Sequence, residues 1–112
     1  MNYIDDRKKF KLQMEQNSFK LGKSKINLKK SIEILTRFDR NYYSYIWSWL
    51  GIPIIQQPSE ILVNQEIIFN YKPDVVIETG VARGGSVIFY SSILNLFKKK
   101  FKVIGIDIDL RD

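Results

Sequence analysis

Two stretches decide the fold: Val75-Val76-Ile77-Glu78-Thr79-Gly80-Val81-Ala82-Arg83-Gly84-Gly85-Ser86 and, after it, Val103-Ile104-Gly105-Ile106-Asp107-Ile108-Asp109. Val75-Val76-Ile77 is β-branched and does not alternate with polar residues, which is the pattern of a strand buried on both faces of a parallel sheet. Glu78 to Ser86 is a glycine-rich turn. An apolar segment with Val87, Tyr90, Ile93, Leu94 and Phe97 then runs to Lys98-Lys99-Lys100. It reads as a helix whose closing lysines complement the negative end of its dipole. Val103 to Asp109 reads as a second buried strand that runs into acids. Strand, glycine turn, helix and strand make a βαβ unit, parallel and right-handed by strong precedent. The expected fold class is α/β.

Working back from that unit, Lys72-Pro73-Asp74 closes a preceding helix, because the ring of Pro73 disfavours a helical Lys72. Gln57-Pro58-Ser59 starts it, with a capping hydroxyl and a proline in the first turn. The helix is expected over Glu60 to Tyr71, with Ile61, Leu62, Ile68 and Phe69 on one side. Gly51 and Pro53 interrupt the chain before it, leaving Ile54-Ile55 as a short connecting strand. Further back, Leu28, Ile32, Leu35, Phe38, Tyr42, Ile46 and Trp49 step by three or four residues, an amphipathic helical stripe. Tyr43, Tyr45, Trp47 and Trp49 also alternate by two, so an extended conformation is the alternative there; packing is the expected use of these aromatics. The organisation expected is a loosely held basic arm over 1–27 with at most one short helix, a helical segment over 28–72, and the βαβ unit over 73–112.

Composition bounds the function. The 112 residues, 45% of them hydrophobic, suffice for one domain with a core. There is no cysteine and no histidine, which excludes disulfides, zinc fingers, thiol nucleophiles and Ser-His or Cys-His mechanisms within these residues. No apolar run approaches the ~20 residues of a membrane span, and the charged start lacks a signal-peptide core. A soluble, cytoplasmic protein is expected. The net charge of +6 lies within residues 1–40, where 11 basic side chains face five acids. Such a segment attracts nucleic acid, an anionic membrane surface or an acidic partner. A solvated leader plus the outer face of a helix is the preferred explanation, and no nucleic-acid motif with regularly interleaved aromatics is present.

Ligands of parallel sheets bind beyond the carboxyl ends of the strands, where both Gly80 and Asp107 fall. Gly80 leaves the strand without a side chain to block a ligand. Gly84 and Gly85 let the backbone approach closely at the helix start, whose amides and dipole favour an anion. Ser86 adds a hydroxyl donor, and Asp107 can accept hydrogen bonds from vicinal ribose hydroxyls. The set describes a nucleoside-containing cofactor. A Walker loop is excluded, since no Gly-Lys-Ser/Thr triplet occurs. A dinucleotide fingerprint fits in part, with Gly80, Ala82 and Gly85 in its glycine positions. Glu78, however, sits badly beside a phosphate.

The pattern Glu78-x-Gly80-x-x-x-Gly84-x-Ser86 resembles that of S-adenosylmethionine-dependent methyltransferases of the Rossmann-like class. More specifically, Trp49-Leu50-Gly51-Ile52-Pro53-Ile54, Gln57-Pro58, Gln65-Glu66-Ile67-Ile68, Lys72-Pro73-Asp74, Val76-Ile77-Glu78-Thr79-Gly80, Gly84-Gly85-Ser86 and Val103 to Asp109 together resemble the cephalosporin hydroxylase family, which includes rhamnosyl O-methyltransferase-like proteins. The resemblance covers roughly residues 45–112. It implies a Rossmann-like methyltransferase fold, truncated after its first βαβ unit and preceded by helices. It further implies that the turn at Gly80 holds the methionine part of S-adenosylmethionine, that Ser86 and the turn amides take its carboxylate, and that Asp107 takes the ribose. Glu78 supports the turn or reaches the methionine amine. Mg²⁺, where such enzymes use it, is held by acids on later strands that this sequence does not match; Asp109 and Asp112 are nearby acids but are not assigned as ligands. The absence of histidine leaves no iron triad.

The implied function is the cofactor-binding amino-terminal part of an O-methyltransferase acting on a sugar or other small hydroxylated acceptor. An NAD-type dinucleotide-binding module and a non-catalytic remnant or interaction segment are the alternatives. No catalytic residue is assigned. A βαβ unit standing by itself leaves strand edges unpaired, so self-association, or a partner chain completing the sheet, is expected.

Overall fold

The computed structural model describes residues 6–98 and 100–109; Lys99 and Asp112 lie outside the described residues. The chain divides into two compact units, Met1–Arg40 and Asn41–Asp112.

In the first unit, helix α1 spans Asp6–Lys23 and helix α2 spans Lys25–Asp39. The stretch expected to be a loose arm with one short helix is thus an 18-residue helix. Its lysines, glutamines, leucines and glutamate are good helix formers, and no proline interrupts it. Asp6 in the first turn and Lys20 and Lys23 in the last suit the dipole. The sequence periodicity is weak because no residue of the helix is buried. Ser24, at φ −80° and ψ 79°, separates the two helices.

The expected stripe from Leu28 to Trp49 holds only as far as Asp39. Tyr42 turns left-handed at φ 58°, Tyr43–Tyr45 form a single 3₁₀ turn, and Ser48–Trp49 are strand β1. The later aromatics pack on one another edge to face: Tyr42 on Tyr45 at 5.4 Å and Tyr43 on Trp47 at 5.5 Å. Strand β2 is Ile52–Pro53, antiparallel to β1, with Trp49 opposite Ile52. Leu50 and Gly51 between them both have positive φ, 49° and 82°, as a two-residue hairpin turn of the primed type requires. The connecting strand therefore lies two residues earlier than Ile54-Ile55, and Ile54 instead drops into the core at 1% exposure.

Helix α3 spans Pro58–Tyr71. Its cap is Gln57 rather than Ser59: Gln57 N–H donates to the Glu60 carboxylate at 2.8 Å, the reciprocal capping box is complete, and Pro58 occupies the first turn. Of the four apolar residues expected on one side, Ile68 is buried and Ile61 half-buried, while Leu62 and Phe69 are exposed. Lys72 ends the helix in the left-handed region at φ 44°, its N–H donating to Ile68 O.

Strand β3 is Val75–Thr79, helix α4 is Gly85–Asn95 and strand β4 is Lys102–Ile106. The two strands are parallel, with Val75 opposite Lys102 and Thr79 opposite Ile106, so the βαβ unit is present. Neither strand is buried on both faces. Val76, Glu78 and Val103 are half-buried, whereas Val75, Ile77, Ile104 and Ile106 are exposed on the opposite face. Helix α4 packs against β4, the β1–β2 hairpin and α3. Its buried centre is Phe89, with no exposure, which meets the Trp49 ring edge to face at 4.9 Å; Trp49 Nε1–H donates to Ser92 Oγ at 2.9 Å. The helix ends before Lys98, which lies beyond its cap at φ 50°, and β4 ends before the acids Asp107 and Asp109.

Candidate functional site

The parallel register places Gly80 and Asp107 side by side just past the carboxyl ends of β3 and β4, and Gly80 N–H donates to Ile106 O at 2.8 Å. Two glycines of the turn are left-handed, Gly80 at φ 79° and Gly84 at φ 84°. A side chain built on either would meet open space, so the requirement is conformational and the space beside the backbone is available to a ligand.

Gly85 carries a packing constraint that its expected role did not include. A Cβ there would overlap the Pro53 carbonyl and Ile54 Cα. This glycine lets the start of α4 pack onto the hairpin. Gly105, which sequence reasoning passed over, acts similarly: a Cβ would lie 2.6 Å from Val81 Cγ2 and 3.2 Å from Val87 Cγ2. The missing side chain in the middle of an apolar strand was the available signal.

Asp107 is tied to the turn. Its Oδ2 accepts the Ala82 N–H at 2.8 Å and its Oδ1 accepts the Asp109 N–H at 3.0 Å. These backbone donors, from Asp109 and Ala82 first, hold its carboxyl below the ordinary aspartate value. Ala82 itself is left-handed, at φ 53°, a conformation that costs a residue with a Cβ about 1 kcal/mol or more. The bond that its N–H donates to Asp107 holds that strained residue in place. The position is the second glycine of the dinucleotide fingerprint, filled in this chain by a residue that the turn must hold by other means.

Glu78 and Ser86 also meet. Ser86 Oγ–H donates to Glu78 Oε2 at 2.6 Å, and Ser86 is buried. The hydroxyl expected to face a cofactor carboxylate is thus directed at Glu78. Burial pushes Glu78 above the ordinary glutamate value, against the opposing pull of that bond. One turn further along α4, burial and the Glu78 charge push the Tyr90 phenol upward, and a hydrogen bond with Gln56 opposes them. Tyr90 joins the cluster because it lies four residues after Ser86 and so shares its helix face.

The first helical bond of α4 is from Ile88 N–H to Gly84 O, and no side chain caps the helix. The amides of Gly85, Ser86 and Val87 therefore have no acceptor within the helix. An open groove of about 510 Å³ runs beside this turn, lined by Val81, Ala82, Gly84, Val87 and Asp107 among others. Of the six candidate residues, Gly84 and Asp107 line it; Glu78, Gly80, Gly85 and Ser86 do not. Chemically, the arrangement offers an acceptor for hydroxyl donors at Asp107, an anion-favouring helix start, and a second carboxylate at Glu78.

Known proteins share this part of the chain. A rhamnosyl O-methyltransferase of Mycobacterium leprae is 31% identical over 83 residues, covering 70% of this chain and 36% of that protein. Rhamnosyl O-methyltransferases of Mycobacterium bovis BCG and Mycobacterium tuberculosis H37Rv are each 30% identical over 69 residues, covering 59% of this chain and 28% of theirs. The chain thus spans about a third of the length of these curated relatives. No solved structure matches it. The family described as rhamnosyl O-methyltransferase/CmcI matches residues 41–112, all of the second unit, and the chain belongs to that family.

Proposed function

We propose that residues 41–112 are the cofactor-binding first part of an S-adenosylmethionine-dependent O-methyltransferase with a Rossmann-like fold, acting on a sugar or other small hydroxylated acceptor. The observation that carries this reading is the glycine turn after β3 joined to an acid at the end of the neighbouring parallel strand. When bound, S-adenosylmethionine supplies an electrophilic sulfonium methyl, which positioning favours for in-line transfer to a hydroxyl.

The residues present fit such a group. Each Asp107 oxygen that takes a backbone N–H retains a lone pair for a ribose hydroxyl. The left-handed Gly80 and Gly84 leave open space where side chains would stand. The amides at the start of α4 favour the cofactor's carboxylate, a part that falls to them rather than to the Ser86 hydroxyl. Glu78, with Ser86 fixing one of its oxygens, offers the other to an ammonium group. Among the described residues no three acids come together to hold a metal ion, and none of these roles requires one. The rhamnosyl acceptor named for the relatives makes a sugar hydroxyl the favoured acceptor class.

Titration calorimetry of the full chain with S-adenosylhomocysteine tests the reading. Binding that is lost in Asp107→Ala is the expected result. Binding of NAD in its place would identify a dinucleotide module, and binding of neither would leave a non-catalytic segment.

A further inference from the structure

The family match begins at residue 41, and helices α1 and α2 lie before it. Residues 6–40 nevertheless carry a definite pattern. Leu28, Ile32 and Leu35 form one stripe along α2, with Leu28 45% and Ile32 63% exposed. Lys30 and Arg37 lie across the helix from it and Lys29 at its edge, with the exposed Ile26 and Ile34 beside Lys30. Helix α1 adds Arg7, Lys8, Lys9, Lys11, Lys20 and Lys23, with Phe10 and Leu21 exposed among them. The acids on the two helices are Asp6, Glu15, Glu33 and Asp39.

We propose that α2, assisted by α1, lies flat on an anionic phospholipid surface, with Leu28, Ile32 and Leu35 entering the headgroup boundary and the lysines and arginines meeting the lipid charge. A basic amphipathic helix of low mean hydropathy suits the interface of a bilayer rather than its interior. No helix among the described residues is long and apolar enough to cross a membrane. Two other occupants fit less well. A nucleic acid would use the cations and leave the apolar stripe exposed. A second copy would use the stripe, and the seven-residue spacing of Met14, Leu21, Leu28 and Leu35 suits a coiled coil. That seam is interrupted at Ser24, and two strongly basic units repel. An anionic membrane uses both the charge and the apolar stripe, where each of these two uses one.

Flotation of the full chain on a density gradient separates vesicle-bound protein from aggregate. The probes are vesicles of phosphatidylcholine with about 30% phosphatidylserine, and vesicles of phosphatidylcholine alone. The protein is expected to float with the anionic vesicles only. Each lysine replaced in Lys29→Glu or Lys30→Glu should weaken binding at least about fivefold, and high salt should release the protein. Ile32→Gln, checked by circular dichroism for retained helix, should weaken flotation without changing the charge. Failure to float, or flotation indifferent to Ile32→Gln, overturns the proposal. Retention of duplex DNA without flotation assigns the face to nucleic acid, and a dimer dissolved by Ile32→Gln without flotation assigns it to a second copy; either outcome also overturns the proposal.

Discussion

At the scale of single residues, the turn is held by the bond from Ala82 N–H to Asp107. Replacing Ala82 by glycine removes the left-handed strain and should stabilise the chain by about 0.5–1 kcal/mol, measured by urea denaturation. Because Asp107 is what holds Ala82, Asp107→Ala should destabilise the natural chain more than it destabilises the Ala82→Gly variant. Equal effects in a double-mutant cycle would show that the two residues act independently. The two acids should also differ in sign with pH. Asp107 has a lowered value in the folded chain, so its contribution is present above the unfolded value of 3.8 and is lost as pH falls through the folded one. Glu78 has a raised value, so ionising it costs the folded chain stability as pH rises from 4.5 through the folded value. Glu78→Gln keeps an acceptor for Ser86 and should stabilise the chain at pH 7 while leaving it unchanged near pH 4. Denaturation curves at both pH values check this.

At the scale of elements, the start of α4 and its burial on the hairpin fix where the turn points. Gly85→Ala should cost about 1–3 kcal/mol, because its Cβ would overlap the Pro53 backbone. Phe89→Ala should cost about 3–5 kcal/mol, enough to unfold a unit with so small a core. Far-UV circular dichroism reads both. Much of this element structure was legible in the sequence. The βαβ order and the helix before it follow from β-branched runs, glycines and Pro73, all local signals. The hairpin from Ser48 to Pro53 shows in the sequence only as the extended alternative for Tyr43 to Trp49, because Tyr42, Ile46 and Trp49 continue a helical spacing although the rings of Tyr42 and Trp49 pack on Tyr45 and Phe89. Gly80, Gly84 and Asp107 could be placed from their positions after strands. That Gly85 serves packing, and that Ser86 turns to Glu78, could not be read, since each depends on a partner far away in the fold or across the turn.

At the scale of the whole molecule, the second unit has a core but an open sheet. Among the described residues Ile54, Ile68, Phe89 and Leu94 are its buried apolar side chains, while Val75, Ile77 and Ile106 are each at least half exposed on the uncovered face of β3 and β4. A face of this kind favours association. The chain alone should bind hydrophobic dyes and unfold without a sharp monomeric transition; a cooperative monomeric melt above about 60 °C would contradict this. The measurement that bears most directly on the proposed site is an amide nuclear magnetic resonance titration of the full chain with S-adenosylhomocysteine, with NAD as the comparison. The expected result is shifts concentrated at Gly80–Ser86 and Asp107–Asp109 with the first ligand only. Shifts elsewhere, shifts with NAD alone, or none with either would contradict the assignment of this turn to the methyl donor.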